Sequence, residues 1–180
     1  MESLDLLILG VEASIALAGF AGIIATFQFG GAKDVRRSDA VGLTMILQIS
    51  LMAALHSALT LLLYSFGLQA TTLWALSSVF AVIFQAQGAY SASTKVRPAV
   101  RTESFKVFIV MLQIPTVCLI VINVMNASDI YFHKEPGPAI ASIVWGLSLS
   151  GFMFSRLLLI PVWRNVHSQE AAKAAIAASG

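Results

Sequence analysis

Five long stretches of this chain are almost entirely apolar, and short polar or turn-forming segments separate them. The stretches cover residues 6–29, 40–66, 70–93, 105–125 and 138–163. About 20 apolar residues in a helix cross the ~30 Å hydrocarbon core of a bilayer. Backbone groups in lipid must be paired within the protein, so each stretch is expected to be helical. The pattern therefore predicts an all-α, polytopic integral membrane protein with a bundle of five transmembrane helices.

The composition agrees with this pattern. Charged residues make up 11% of the 180 residues and hydrophobic residues 58%. Soluble domains average about 25% charged residues, so lipid is the predicted solvent for most of the chain. The net charge of +2 gives no reason to expect nucleic-acid binding. One transmembrane domain, 1–163, is predicted, followed by an Ala-rich tail, 164–180, that extends as a short helix.

The basic residues predict an orientation. Ten of the eleven Lys and Arg residues lie in or beside the first and third connections and the tail, and only Lys134 lies elsewhere. By the positive-inside rule the N-terminus is outside and the tail is cytoplasmic. The compact design is typical of a multi-pass protein of a prokaryotic plasma membrane, the bacterial inner membrane. Six basic residues of the two loops are expected to meet anionic lipid headgroups: Lys33, Arg36, Arg37, Lys95, Arg97 and Arg101.

Two polar residues form a predicted outer layer within the spans. Glu12 on the first span and His56 on the second lie roughly 10 and 15 Å from the outer ends of their helices. Polar groups at this depth are costly and are a functional hypothesis by default. A carboxylate beside an imidazole could bind a cation, relay a proton or sense pH. The alternatives are a hydrogen-bonded pair that fixes helix packing, or a Glu12 that reaches the outer headgroups.

A second polar layer is predicted nearer the cytoplasm. Four helices each place polar residues roughly 10 Å from their cytoplasmic ends. These residues are Gln48, Gln85, Gln87, Gln113 and Arg156. They could join the helices by hydrogen bonds, with Arg156 extending to the headgroups. They could instead ring a pore constriction in which Arg156 favours anions or repels cations.

The first span also carries small residues at helical spacing, namely Ser14, Ala18, Gly19 and Gly22. Such faces allow helices to approach closely, and the partner could be a helix of the same chain or of a second subunit. No metal site or cofactor is predicted, since two potential ligands within the membrane are too few for a metal ion.

Three functions remain open at this stage. The first is a homo-oligomeric channel or pore for ions or small solutes, with closed symmetry as the usual form of assembly. The second is an accessory or structural membrane subunit without transport activity. The third is a small carrier or membrane enzyme that uses Glu12 and His56. Because no catalytic motif is found, an enzyme is not the expected answer.

Overall fold

The computed structural model describes residues 3–29, 37–96 and 103–179, with side chains for 3–27, 40–94, 107 and 109–159. Its five α-helices are α1 (Ser3–Phe29), α2 (Arg37–Ser65), α3 (Ala70–Ser91), α4 (Glu103–Ala127) and α5 (Pro136–Ser179). Helix α3 continues as a π-helical turn, Ala92–Val96. The described residues include no strand. Each helix contains a segment long and apolar enough to cross a membrane, which confirms the prediction of five spans.

The fifth helix is longer than the predicted span. Helix α5 runs without a break from Pro136 to Ser179, so the span and much of the Ala-rich tail belong to one helix. Pro136 and Pro138 lie in its first turn, where a missing N–H has no cost. The orientation across the membrane stays a prediction. Following it, we call the end with the α2–α3 and α4–α5 turns the outer end and the opposite end the inner end.

Four helices surround the centre of the bundle. Helix α2 packs on α3 and α5, and α4 packs closely on α3 but only loosely on α5. Helix α1 lies outside this ring and contacts α2 and α5. The α4–α5 seam is therefore the weakest contact between neighbours in the ring.

Little of the apolar surface is buried inside the protein. The buried apolar residues fall into three small clusters, one at the outer end (Leu7, Leu73, Trp74, Ala139, Ile143) and two at the inner end (Met45, Ala92, Ile109; Ala21, Ile46, Leu157). Large apolar side chains face outward, among them Phe27 (84% exposed) and Phe66 (71% exposed). An apolar surface of this extent is stable in lipid and unstable in water, which supports a multi-pass membrane protein.

Helix α1 approaches its neighbours closely at Gly10. A Cβ atom on Gly10 would lie 2.6 Å from Ser57 Oγ and 3.1 Å from Ile143 Cγ2, so only glycine fits without movement of the neighbours. One turn further along α1, Ser14 is fully buried and donates a hydrogen bond to the Gly10 carbonyl oxygen (2.6 Å). Small residues thus bring α1 against both α2 and α5 at this level.

The other residues of the predicted small face are less enclosed. Ala18 and Gly22 are half-buried, whereas Gly19 is exposed on the outside of the bundle. A Cβ atom on Gly19 or Gly22 would meet nothing within 4 Å. The tight contact of α1 within the chain therefore lies one to three turns closer to the outer end than these glycines.

We predict that Gly10→Leu destabilises the bundle and that Gly19→Leu does not. The added side chain at Gly10 must displace Ser57 and Ile143, and such overpacking costs about 1–3 kcal/mol. Thermal unfolding of the two variants in detergent provides the comparison. Equal melting temperatures would show that α1 does not pack as described.

Candidate functional site

A cavity of about 110 Å³ lies at the centre of the four-helix ring and is partly open to the outside. Its walls are mostly apolar and come from α2, α3, α4 and α5. The polar residues in its lining are His56, Gln85, Gln113, Thr116, Ser142 and Trp145. An apolar cavity with a few polar groups is the usual form of a small-molecule site.

His56 is held in the cavity wall by a closed set of hydrogen bonds between α2 and α3. Its Nε2 lies 3.0 Å from the Ser77 carbonyl oxygen and 3.1 Å from Ser77 Oγ. Ser77 Oγ lies 2.9 Å from Thr60 Oγ1, and Thr60 Oγ1 donates to the His56 carbonyl oxygen at 2.9 Å. All three side chains are buried, so the set fixes both the ring orientation and the α2–α3 contact.

The same hydrogen bonds determine the tautomer of a neutral His56. A carbonyl oxygen only accepts, so Nε2 must carry the hydrogen that points to Ser77. Nδ1 of the neutral ring is then an acceptor, and within the described side chains nothing donates to it. His56 belongs to the cavity lining, and its neutral ring has one acceptor nitrogen without a donor among the described residues.

Gln85 has an unusual environment one helical turn or more below His56. The residue belongs to the cavity lining, and its amide nitrogen and oxygen are both shielded from solvent. Neither atom has a hydrogen-bond partner among the described residues. A buried polar group without a partner costs roughly 1–3 kcal/mol, so Gln85 weakens the bundle where it stands.

The opposite wall is formed by α4 and α5. Trp145 Nε1 donates to Thr116 Oγ1 at 3.0 Å, which joins the two helices across their weakest seam. Thr116 Oγ1 in turn donates to the Leu112 carbonyl oxygen at 3.2 Å. Gln113 also lines the cavity and is partly exposed. This wall therefore combines one interhelical hydrogen bond with a large aromatic surface.

Buried asparagines close the bundle above the cavity. Asn123 donates to Ser142 Oγ (2.8 Å) and joins α4 to α5. Asn126 donates to Ser78 Oγ on α3 (2.8 Å) and to the Glu135 carbonyl oxygen (3.0 Å), and its Oδ1 accepts from the Glu135 N–H (3.0 Å). One side chain thus holds the α4–α5 turn against α3.

The two asparagines and the Ser77–His56 hydrogen bond were not predicted from the sequence. Asn123 and Asn126 are three residues apart, so they lie on one helical face, and two amides at membrane depth are as costly as the glutamines. This three-residue spacing is the feature of the sequence that could have identified the two asparagines. No sequence feature predicts the pairing of Ser77 with His56, because a serine within a span can also donate its hydrogen bond to a backbone carbonyl of its own helix.

The two residues of the predicted outer layer are not brought together. Glu12 is exposed on the outward face of α1, whereas His56 is buried between α2 and α3. No hydrogen bond or ion pair joins them in the described part of the chain. The reason is the helical phase of α1, whose inward face carries Leu7, Gly10 and Ser14.

The predicted inner layer is divided between four environments. Gln85 and Gln113 share the cavity. Gln48 donates to Ser91 Oγ at 3.0 Å and so joins α2 to α3, while Gln87 is exposed. Arg156 is partly buried on α5 and lies outside the cavity lining.

The basic residues expected to meet headgroups are beyond the structural description. Lys33, Arg36, Arg97 and Arg101 lie outside the described residues, as do the side chains of Arg37 and Lys95. The described side chains include no cluster of three His, Cys, Asp or Glu residues that could hold a metal ion. Comparison with protein-family models, characterised proteins and solved structures found no match.

Three glutamines provide a matched test of this site. We expect Gln85→Leu to raise the free energy of unfolding by about 1–3 kcal/mol, because it removes an unpaired buried amide. Gln48→Leu should lower it by about 0.6–2 kcal/mol through loss of an interhelical hydrogen bond. Gln87→Leu, at an exposed position, should leave it unchanged.

Reversible unfolding in mixed micelles measures all three variants under one condition. A Gln85→Leu protein that is destabilised as much as Gln48→Leu would mean that the Gln85 amide is paired in the native bundle.

Proposed function

We propose that this protein binds a small lipid-soluble molecule in the cavity between α2, α3, α4 and α5. The observation that carries the proposal is the unpaired amide of Gln85 beside an apolar cavity. A bundle that only needed to pack would gain stability from an apolar residue at this position. Residues that lower stability without a structural benefit are typical of functional sites.

The place of the cavity favours a ligand that arrives through the bilayer. The cavity is partly open, and α4 contacts α5 only loosely. The outward faces of both helices are apolar, with Val117 and Val121 on α4 and Val144 and Phe152 on α5 exposed. A molecule dissolved in lipid would reach this seam without crossing a polar surface.

Quenching of Trp145 fluorescence tests the proposal, because this residue lines the cavity. The substitutions Trp74→Phe and Trp163→Phe remove the other two tryptophans of the chain, so that only Trp145 is left. In this background we expect 4-bromotoluene to quench Trp145 saturably. Gly88→Leu should remove most of this quenching, since Gly88 lines the cavity and a Cβ atom there meets nothing within 4 Å.

The control is Gly151→Leu on α5, a half-buried glycine that does not belong to the cavity lining. It should retain saturable quenching. Quenching that rises in proportion to the bromotoluene content of the membrane, without saturation, would contradict a binding site and indicate collision from the lipid.

A homo-oligomeric channel is the second candidate, supported by the outward face of α1. Exposed residues on this helix are spaced alternately by four and three positions: Leu9, Glu12, Ala16, Gly19, Ile23 and Thr26. That spacing matches a left-handed helix pair, and small residues allow close contact. A carboxyl group at Glu12 has no suitable partner in lipid, which favours a protein surface opposite it. An accessory subunit remains the alternative if the assembly conducts nothing.

Cysteine crosslinking distinguishes the oligomer from a lone bundle. In a Cys118→Ser background, we expect Ala16→Cys to form a disulfide-linked dimer in nanodiscs under oxidation, because Ala16 is exposed on α1. Ala13→Cys, at a partly buried position of the same helix, should remain monomeric. Conductance of the wild-type protein in planar bilayers then tests permeation. A monomer with both variants would exclude assembly through α1.

A further inference from the structure

We propose that the cavity selects a small neutral hydroxyl compound, an alcohol or a phenol. Its hydroxyl group would donate to His56 Nδ1 and accept from the amide nitrogen of Gln85. The inference rests on the proposed function, since it specifies the chemistry of the molecule that the cavity binds. It makes His56 and Gln85 the residues that determine specificity.

The argument begins with the groups that the protein leaves unused. The hydrogen bonds to Ser77 hold the His56 hydrogen on Nε2, so a neutral ring presents a bare acceptor at Nδ1. Gln85 contributes an amide with two donor hydrogens and an acceptor oxygen, all unpaired among the described residues. A hydroxyl group carries one donor and two acceptor positions, so it has the groups needed to pair with both residues.

Other ligand classes leave part of this set unsatisfied. A hydrocarbon pairs with neither residue, and a ketone or ether cannot donate to His56 Nδ1. A carboxylate would enter an apolar cavity whose described lining includes no Lys or Arg, and an unpaired buried charge is strongly disfavoured. The set therefore favours a neutral group that both donates and accepts.

The size and walls of the cavity limit the rest of the molecule. In an engineered lysozyme, a cavity of about 150 Å³ lined by apolar side chains binds benzene. The present cavity is about 110 Å³ and partly open, so we expect it to hold one ring or a short alkyl chain. The faces of Phe84 and Trp145 provide an aromatic surface for it.

Binding requires a small rearrangement of Gln85. Its amide lies beside the cavity and is shielded from solvent, while the residue as a whole is half-buried. The proposal requires a change of side-chain rotamer that turns the amide toward the ligand, and such changes are common at interfaces. No hydrogen bond among the described residues holds the amide in its present position, so this side-chain rotation breaks none.

The test compares 4-bromophenol with 4-bromotoluene, which differ by a hydroxyl and a methyl group, at neutral pH. Trp145 is again the single tryptophan, and each apparent affinity is corrected for the measured concentration of the probe in the membrane. One hydrogen bond to a matched site changes affinity by about tenfold. We expect bromophenol to bind about tenfold more tightly than bromotoluene in the wild-type protein.

Two variants and one control assign this preference to residues. Gln85→Leu should remove the preference while bromotoluene still binds. His56→Gln, which keeps a donor near Ser77 and removes the Nδ1 acceptor, should reduce it as well. Gln87→Leu changes an exposed glutamine two residues away on α3 and should keep the full preference.

The possible results separate the inference from the proposed function. Equal affinity of the two probes in the wild-type protein would overturn the hydroxyl inference and leave a cavity that binds apolar molecules. A preference that persists in both Gln85→Leu and His56→Gln would also overturn it. Absence of saturable quenching by either probe would overturn the proposed function itself. Circular dichroism of each variant confirms that it is helical before its affinity is compared.

Discussion

Lipid offers no hydrogen bonds, and this constraint governs the whole structure. Backbone groups are paired within five helices, so the polar side chains in the spans have to find partners on neighbouring helices or on their own. Serines and threonines bond to the carbonyl oxygen one turn back, as Ser14 does to Gly10. Longer polar side chains join helices, as Gln48 joins α2 to α3 and Asn123 joins α4 to α5. The bundle is therefore held by hydrogen bonds and close packing more than by a large apolar core.

Gln85 differs from these residues, because both polar atoms of its amide are buried without a partner among the described residues. Single atoms of Ser57 and Asn123 are also buried without one. His56, also in the cavity lining, has its Nε2 engaged with Ser77, and no donor to its other nitrogen lies among the described residues. Both residues lie where four helices enclose a space instead of filling it. Unused hydrogen-bonding capacity next to an apolar space is the basis on which we propose a binding site for a small molecule. The described lining of this space includes no residue of α1.

The helix that is least involved in the cavity has two chemically different faces. Its inward face, with Gly10 and Ser14, is tightly matched to α2 and α5. Its outward face combines Glu12 with Ala16 and Gly19, a composition poorly suited to lipid. The inward face of this helix packs the bundle, and its outward face is the basis of the proposed assembly.

The amino-acid sequence by itself determined the number of helices and the membrane as their solvent, because the length and apolarity of a span depend only on consecutive residues. It also identified Gln85, Gln113 and His56 as costly polar residues at membrane depth. It could not decide which of them meet, since partners depend on the rotation of each helix about its axis. That rotation turned Glu12 outward, placed Gln87 on the surface and left Gln85 without a partner among the described residues, in the same cavity lining as His56. The cavity is a property of how four helices pack, so only the tertiary structure revealed it.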